Sequence, residues 1–347
     1  PGVSTGWVFS KEKFASEWAD IISFGKLRAS FGLNGNVNKD FVGNYTVQGA
    51  YAGSKYNGNA YFLLNNLPNP YLKWEKSRTF EIGLDLGFLA NRINANLTYY
   101  NRLTSDKYAN ITIPSTSGVS SFTSNNGKFQ NQGFEFELAF KVIDSKDWKW
   151  NLNWNGALNK NKVVALPDNG LERNRQNAFQ VYTGRQLEDG SYEKAWVGGY
   201  QEGHTMGDIY AYKQVKILSD WNEVNTMAGN YIDMIAGLYG PNVSDADKKK
   251  YGLTKPIEPG DVLWADLDGN HKIDQLDRVK VGNIYPKWTG GFSTTLSYKN
   301  VSLYGRFDFA LGHTILNMVA MRSLGQSVGF KNIIKEGLKT WTEENTN

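Results

Sequence analysis

In the stretch FEIGLDLGF, Phe80 to Phe88, every second residue is large and apolar. Side chains alternate across a β-strand, so Phe80, Ile82, Leu84, Leu86 and Phe88 share one face, and Glu81, Gly83, Asp85 and Gly87 the other. A chain that repeats this pattern is committed to sheets with one continuous apolar surface. That surface is covered either by a second layer of protein or by lipid tails. The two outcomes give different functions.

The pattern does repeat. Leu27, Ala29, Phe31 and Leu33 alternate with Arg28, Ser30, Gly32 and Asn34. Ile93, Ala95, Leu97 and Tyr99 alternate with Asn94, Asn96, Thr98 and Tyr100, and Phe134, Phe136, Leu138 and Phe140 with Glu135, Glu137 and Ala139. WKWNLNWNGALN sets Trp148, Trp150, Leu152, Trp154 and Leu158 against Lys149, Asn151, Asn153, Asn155 and Asn159. FSTTLSYK from Phe292 and VSLYGRFDF from Val301 complete the set. The period predicts about seven strands, near 25–34, 75–88, 93–102, 128–142, 148–160, 288–299 and 301–311.

The connections sort into two kinds. Three are tight: Leu89 to Arg92, Asp144 to Asp147, and Lys299 with Asn300. The rest are long: 35–74, 103–127, a large loop over 161–287, and everything after Gly312. Followed up and down an antiparallel sheet, the tight turns all fall at one end and the long loops at the other, which is the layout of an outer-membrane barrel. A strand of about 10 residues, rising roughly 3.3 Å each and tilted near 40°, spans the lipid band of about 25 Å. Trp74, Trp148, Trp150 and Trp288 stand at strand ends, where an indole suits the headgroup level. The polar faces fit a wet or plugged lumen, but a soluble sandwich or propeller would offer them to water equally well. Loop sorting favours lipid. About seven strands cannot close around a lumen, and an open edge in lipid leaves backbone groups unpaired at several kcal/mol each, so further strands are expected. The abrupt ends PGVSTGWVF and TWTEENTN agree with a piece of something longer.

Composition narrows the alternatives. The mean hydropathy is negative and no run of about 18 apolar residues exists, which excludes a transmembrane helix but not a β-barrel. With Cys 0, disulfide scaffolds and thiolate metal sites are excluded. A net charge of +4, spread along the chain, argues against nucleic acid. His204, His271 and His313 carry no zinc spacing, and there is no nucleophile elbow, phosphate loop or nucleotide fingerprint. Glu135 and Glu137 share a strand face, as a hydrolase dyad would, but inward charge in a polar lumen explains them more simply. No enzyme is expected.

Several stretches carry a family likeness. GKLRASFGLNGN (Gly25 to Asn36), NPYLKWEKSRTFEIGLDLGFLANRINANLTYYNRLTSD (Asn69 to Asp106) and IPSTSGVSSFTSNNGKFQNQGFEFEL (Ile111 to Leu138) resemble SusC/RagA-type TonB-dependent transporters of Bacteroidota outer membranes. So do WKWNLNWNGALNKNKV (Trp148 to Val163), EGHTMGDIYAYK (Glu202 to Lys213) and the run from Pro259 to Phe309. The resemblance follows the family's order along nearly the whole chain. It implies part of a barrel of about 22 strands with an N-terminal plug that this chain lacks. It further implies TonB-driven import of nutrient oligosaccharides or peptides, captured with a SusD-like surface lipoprotein that caps the barrel. The competing reading is a secreted calcium-dependent glycan-binding β-sandwich.

One motif carries chemistry. DLDGNHKIDQLD, Asp266 to Asp277, places Asp266, Asp268, Asn270, Asp274 and Asp277 at loop positions 1, 3, 5, 9 and 12, with the Lys272 carbonyl at position 7. A hard cation takes six to eight oxygens at about 2.3–2.6 Å, and this spacing wraps a chain once around one. The loop resembles EF-hand and dockerin calcium loops, except that His271 replaces the bend-forming glycine and position 12 is Asp. A structural Ca2+ that pins the large loop is one expectation; a plain Asp/Asn/Gly turn is the other. Trp196, Tyr200, Tyr210 and Tyr212 suit stacking on sugar rings, or equally the private core of a long insert. Ser244 should start a short helix, and Asn332 to Asn345 reads as an amphipathic helix facing a capping partner.

Overall fold

A computed structural model describes residues 1–347 except 40, 41, 44, 45, 120, 326–333, 339, 340, 343 and 345–347. The chain divides into two compact units: residues 1–177, 199–206 and 285–313, and residues 178–198, 207–284 and 314–347.

The first unit is one antiparallel sheet of eight strands whose spatial order is their chain order. They are β1 (Gly2–Trp7), β2 (Ile22–Asn36), β3 (Glu75–Phe88), β4 (Ile93–Thr112), β5 (Ser121–Asp144), β6 (Trp148–Ala165), β7 (Trp288–Tyr298) and β8 (Val301–Leu311). All seven expected strands are present. The eighth, β1, pairs Trp7 with Leu27 and Gly2 with Gly32. Its alternation, Val3, Thr5 and Trp7, is too short to stand out in the sequence. The sheet is open, with β1 and β8 at its edges.

Register lines the apolar residues up. Leu27 faces Leu84, Leu84 faces Leu97, Leu97 faces Phe136, and Trp154 faces Phe292. Among the described residues no second layer covers this row. Phe80 is 45% exposed, Ile82 40%, Phe134 40% and Phe292 42%. The rings pack sideways instead: Phe136 meets Trp154 edge-on at 5.2 Å, and Phe292 stacks on Phe307 at 4.7 Å. Trp150 on this face donates its indole N–H to the Thr294 hydroxyl at 2.8 Å. A sandwich would bury these side chains, so the secreted sandwich reading fails here.

Two long loops differ from expectation. The expected loop 103–127 is mostly strand: β4 and β5 run on past bulges around Lys107, to Thr112 and from Ser121. Three side chains hold this extension to the start of β3 and the segment before it. The buried Glu75 carboxylate accepts from the Tyr108 N–H at 3.2 Å and the Lys107 ammonium at 3.4 Å. Asn125 exchanges two hydrogen bonds of 2.7 Å with the Lys73 backbone, and Asn69 donates to the Thr123 carbonyl at 2.8 Å. Long-range polar pairing of this kind has no periodicity to betray it. Within the expected loop 35–74, Ala50–Tyr56 and Asn59–Asn66 form a hairpin.

The second unit holds most of the large loop expected over 161–287. Leu218, Val224, Ala228, Tyr231, Ile257, Leu263 and Ile273 form a core, with Tyr212, Leu238 and Trp264 packed against it. The helix expected from Ser244 is present as Asp245–Tyr251, capped by the Ser244 hydroxyl on the Asp247 N–H. Of the helix expected over 332–345, part lies outside the described residues; within the rest, Lys335–Leu338 forms a 3-10 turn.

Candidate functional site

The polar face of the eight-stranded sheet is built by glycine on one strand and a long side chain on the next. Arg28 lies flat over Gly83, where any β-carbon would strike its guanidinium. From there it donates to Asp85 at 3.1 Å, Asn96 at 2.7 Å and Thr98 at 2.5 Å, tying β2, β3 and β4 together. Gly133 does the same for Tyr100, whose hydroxyl crosses β5 to donate to Asn159 at 2.9 Å. Between these networks lies a recess of about 750 Å3, lined among others by Glu81, Arg102, Asn131, Glu135, Glu137 and Asn155. It offers both charges and many amides, the chemistry of a hydrated wall. Sequence reading placed these residues on one face but missed Arg28 as their hub, since that needs the register that sets it opposite Gly83.

The acidic loop belongs to the second unit. Oxygens of Asp266, Asp268 and Asp277 all lie within 4.8 Å of one another. Backbone amides share them: Asp266 accepts from Gly269, Asn270 and His271, and Asp277 from Leu267 and Asp274. His271 takes the left-handed φ of 62° required where a glycine was missing, next to Gly269 and its neighbours. Asn270 donates its amide to Asp268 at 2.7 Å and accepts from the Lys272 N–H at 2.7 Å. Asp274 stands outside the carboxylate triad because its side chain caps the 3-10 turn Gln275–Asp277, accepting from Leu276 at 2.6 Å. Burial pushes the Asp277 carboxyl up, with Asp274 and Asp266 adding to it against two backbone donors. Burial also raises the Tyr182 phenol, and its hydrogen bond to Asp268 adds to that.

The four aromatic candidates are divided between the two units. Tyr200 lies in the first unit, bridged through its backbone to Gln176. Tyr210 packs edge-on to Phe179 at 5.7 Å, and Tyr212 lies against Trp264 and the core. Trp196 sits in the strand Tyr192–Val197, opposite Gln180. Packing of the insert accounts for Tyr210 and Tyr212.

The eight-stranded open sheet is apolar on one face and polar on the other, with three tight turns at one rim and long connections at the other. Residues 15–233 match the model of the TonB dependent receptor-like β-barrel family. The chain belongs to this family. TonB-dependent receptor P3 of Formosa agariphila is 31% identical over 354 residues, covering 100% of this chain and 31% of the relative. TonB-dependent receptor SusC of Bacteroides thetaiotaomicron is 28% identical over 330 residues, covering 92% of this chain and 28% of the relative. The RagAB peptide transporter superposes at a TM-score of 0.66 with 23% identity, over 100% of this chain and 33% of the solved one, and shares its fold. The chain is thus of the SusC/RagA type, and its sheet is a segment of a TonB-dependent receptor barrel in the outer membrane. It spans about a third of the length of the curated relatives it matches.

Proposed function

We propose that this segment forms part of the wall of a TonB-dependent importer that takes up nutrient oligosaccharides or peptides. A SusD-like surface lipoprotein would present them at the long-loop rim, and TonB would act through parts of the protein beyond this segment. The observation that carries the reading is the two-faced sheet, with Phe80, Ile82, Phe134 and Phe292 exposed on one side and the recess of charges and amides on the other. Lipid stabilises the first face and a hydrated passage suits the second. The RagAB transporter, which shares this fold, carries peptides, and this keeps peptides beside glycans as the proposed cargo. The charges and amides that line the recess suit passage of a polar cargo.

The test is uptake. Cells carrying the intact gene or its deletion are fed labelled oligosaccharide or labelled oligopeptide pools, and the outer-membrane protein is purified in mild detergent. Loss of uptake of one pool on deletion, with a surface lipoprotein co-purifying, supports the reading. Unchanged uptake of both pools sinks it.

For the loop Asp266 to Asp277 we propose a structural cation of the Ca2+ type. The supporting features are the spacing of Asp266, Asp268, Asn270, the Lys272 carbonyl, Asp274 and Asp277, and the three carboxylates gathered within 4.8 Å. The amide donors already on Asp266 and Asp277 favour the ion-free turn instead. Calorimetric titration of the purified protein with Ca2+ decides: saturable binding lost in Asp268→Asn supports the site, and no heat leaves the turn as self-held.

A further inference from the structure

At the rim of short turns one connection is out of scale. Leu89–Arg92, Ser145–Asp147 and Lys299–Asn300 close their hairpins directly, whereas β1 and β2 are joined by residues 8–21. This segment folds into two 3-10 turns, Phe9–Lys11 and Lys13–Trp18. It is held in place, since Ala15 is buried and the Leu89 N–H donates to the Ile21 carbonyl at 3.0 Å. Yet three of its large apolar side chains, Phe14, Trp18 and Ile21, do not turn into protein. Phe14 is 52% exposed, Trp18 48% and Ile21 62%.

These side chains are gathered rather than scattered. Trp7 meets Phe9 at 5.9 Å and Phe14 at 6.1 Å, and Phe14 meets Trp18 at 6.1 Å. The cluster continues the apolar face of the sheet. Trp7 pairs with Leu27 in the apolar row, and the Phe9 ring occupies the space above Gly25, which pairs with Leu86. The Trp7 indole N–H is satisfied by the Glu12 carboxylate at 3.1 Å. Polar residues intersperse the rings, and Lys11 and Lys13 are nearly balanced by Glu12, Glu17 and Asp20.

We infer that residues 8–21 form an in-plane foot on the periplasmic leaflet, with Phe14, Trp18 and Ile21 at the acyl boundary and the charged side chains among phospholipid headgroups. Aromatic rings with polar neighbours are favoured at that depth. The near balance of charge fits a zwitterionic lipid surface. Continuity with the sheet's apolar face names the occupant, and the inference rests on the lipid reading of that face.

Single cysteines carrying nitroxide labels test it in the full-length transporter, in phosphatidylethanolamine-rich vesicles. The sites are Phe14→Cys, Trp18→Cys and Ile21→Cys, with Leu84→Cys as the lipid reference and Asp147→Cys as the aqueous one. Ile21 is the fallback if loss of a ring disturbs assembly. The expected result is several-fold lower accessibility to a water-soluble nickel reagent at the three foot sites than at Asp147, with oxygen accessibility between those of Leu84 and Asp147. Foot labels as open to nickel as Asp147, with Leu84 still protected, overturn the foot alone. If Leu84 is open as well, the lipid reading of the sheet falls and the foot with it.

Discussion

Gly83 and Gly133 make the polar face by what they omit. A methyl group at residue 133 would strike the Leu158 carbonyl and the Tyr100 hydroxyl, while at residue 83 it would meet only the movable end of Arg28. Gly133→Ala should therefore destabilise the assembled barrel by about 1–3 kcal/mol, and Gly83→Ala by less. Heat-dependent gel mobility of the folded barrel in detergent measures both. The contrast between faces gives a second expectation. Leu84→Arg, on the exposed apolar row, should cost about 2–4 kcal/mol near the midplane and block assembly. From sequence alone Asp85 looks like a natural lumenal control. The structure advises against it, because Asp85 holds the Arg28 guanidinium and an arginine there would set two cations together. Glu137→Arg, on the wall of the recess, is the control expected to assemble normally.

Among the elements, the extended β4–β5 hairpin is held in part by one buried carboxylate, that of Glu75, beside Asn69 and Asn125. Glu75→Ala would strand the buried Tyr108 N–H and release the Lys107 ammonium to solvent, a loss of about 1–3 kcal/mol confined to that hairpin. Faster hydrogen exchange over residues 105–110, with unchanged protection in β7 and β8, is the expected signature. The helix Trp221–Met227 carries a pH-sensitive start. Lys216 first, then the Ser219 N–H, hold the Glu223 carboxyl at about 2, below its ordinary 4.5. A lowered carboxyl pKa contributes stability that is whole above about pH 4.5 and is lost as pH falls toward 2. Acid should therefore loosen this helix in that window, and Glu223→Gln should flatten the profile; hydrogen exchange of residues 221–228 across the range reads both. The strands were legible because period 2 is local. The Glu75 clamp and the strand-like stretch of 103–127 were not, because partners such as Asn125 and Lys73 meet only once the sheet is paired.

For the whole molecule, loop sorting carried more information than any strand, and the three tight turns do close one rim. The acidic loop's spacing was readable, but Asp274's turn to cap Leu276 was not, since both uses of that carboxylate fit the same letters. The two open edges make a further expectation. Produced alone, residues 1–347 should fail to give a heat-modifiable monomeric barrel in detergent and should associate through β1 or β8, because unpaired edges in a lipid-like medium cost several kcal/mol per group. Light scattering of the refolded segment measures this. Finally, the bond from Trp150 to Thr294 alters how such a wall is gauged. An indole whose proton is already placed has no thirst for the waterline. Trp150 can ride beneath the surface like a phenylalanine, so this one tryptophan makes an unreliable draught mark for how deep the hull sits.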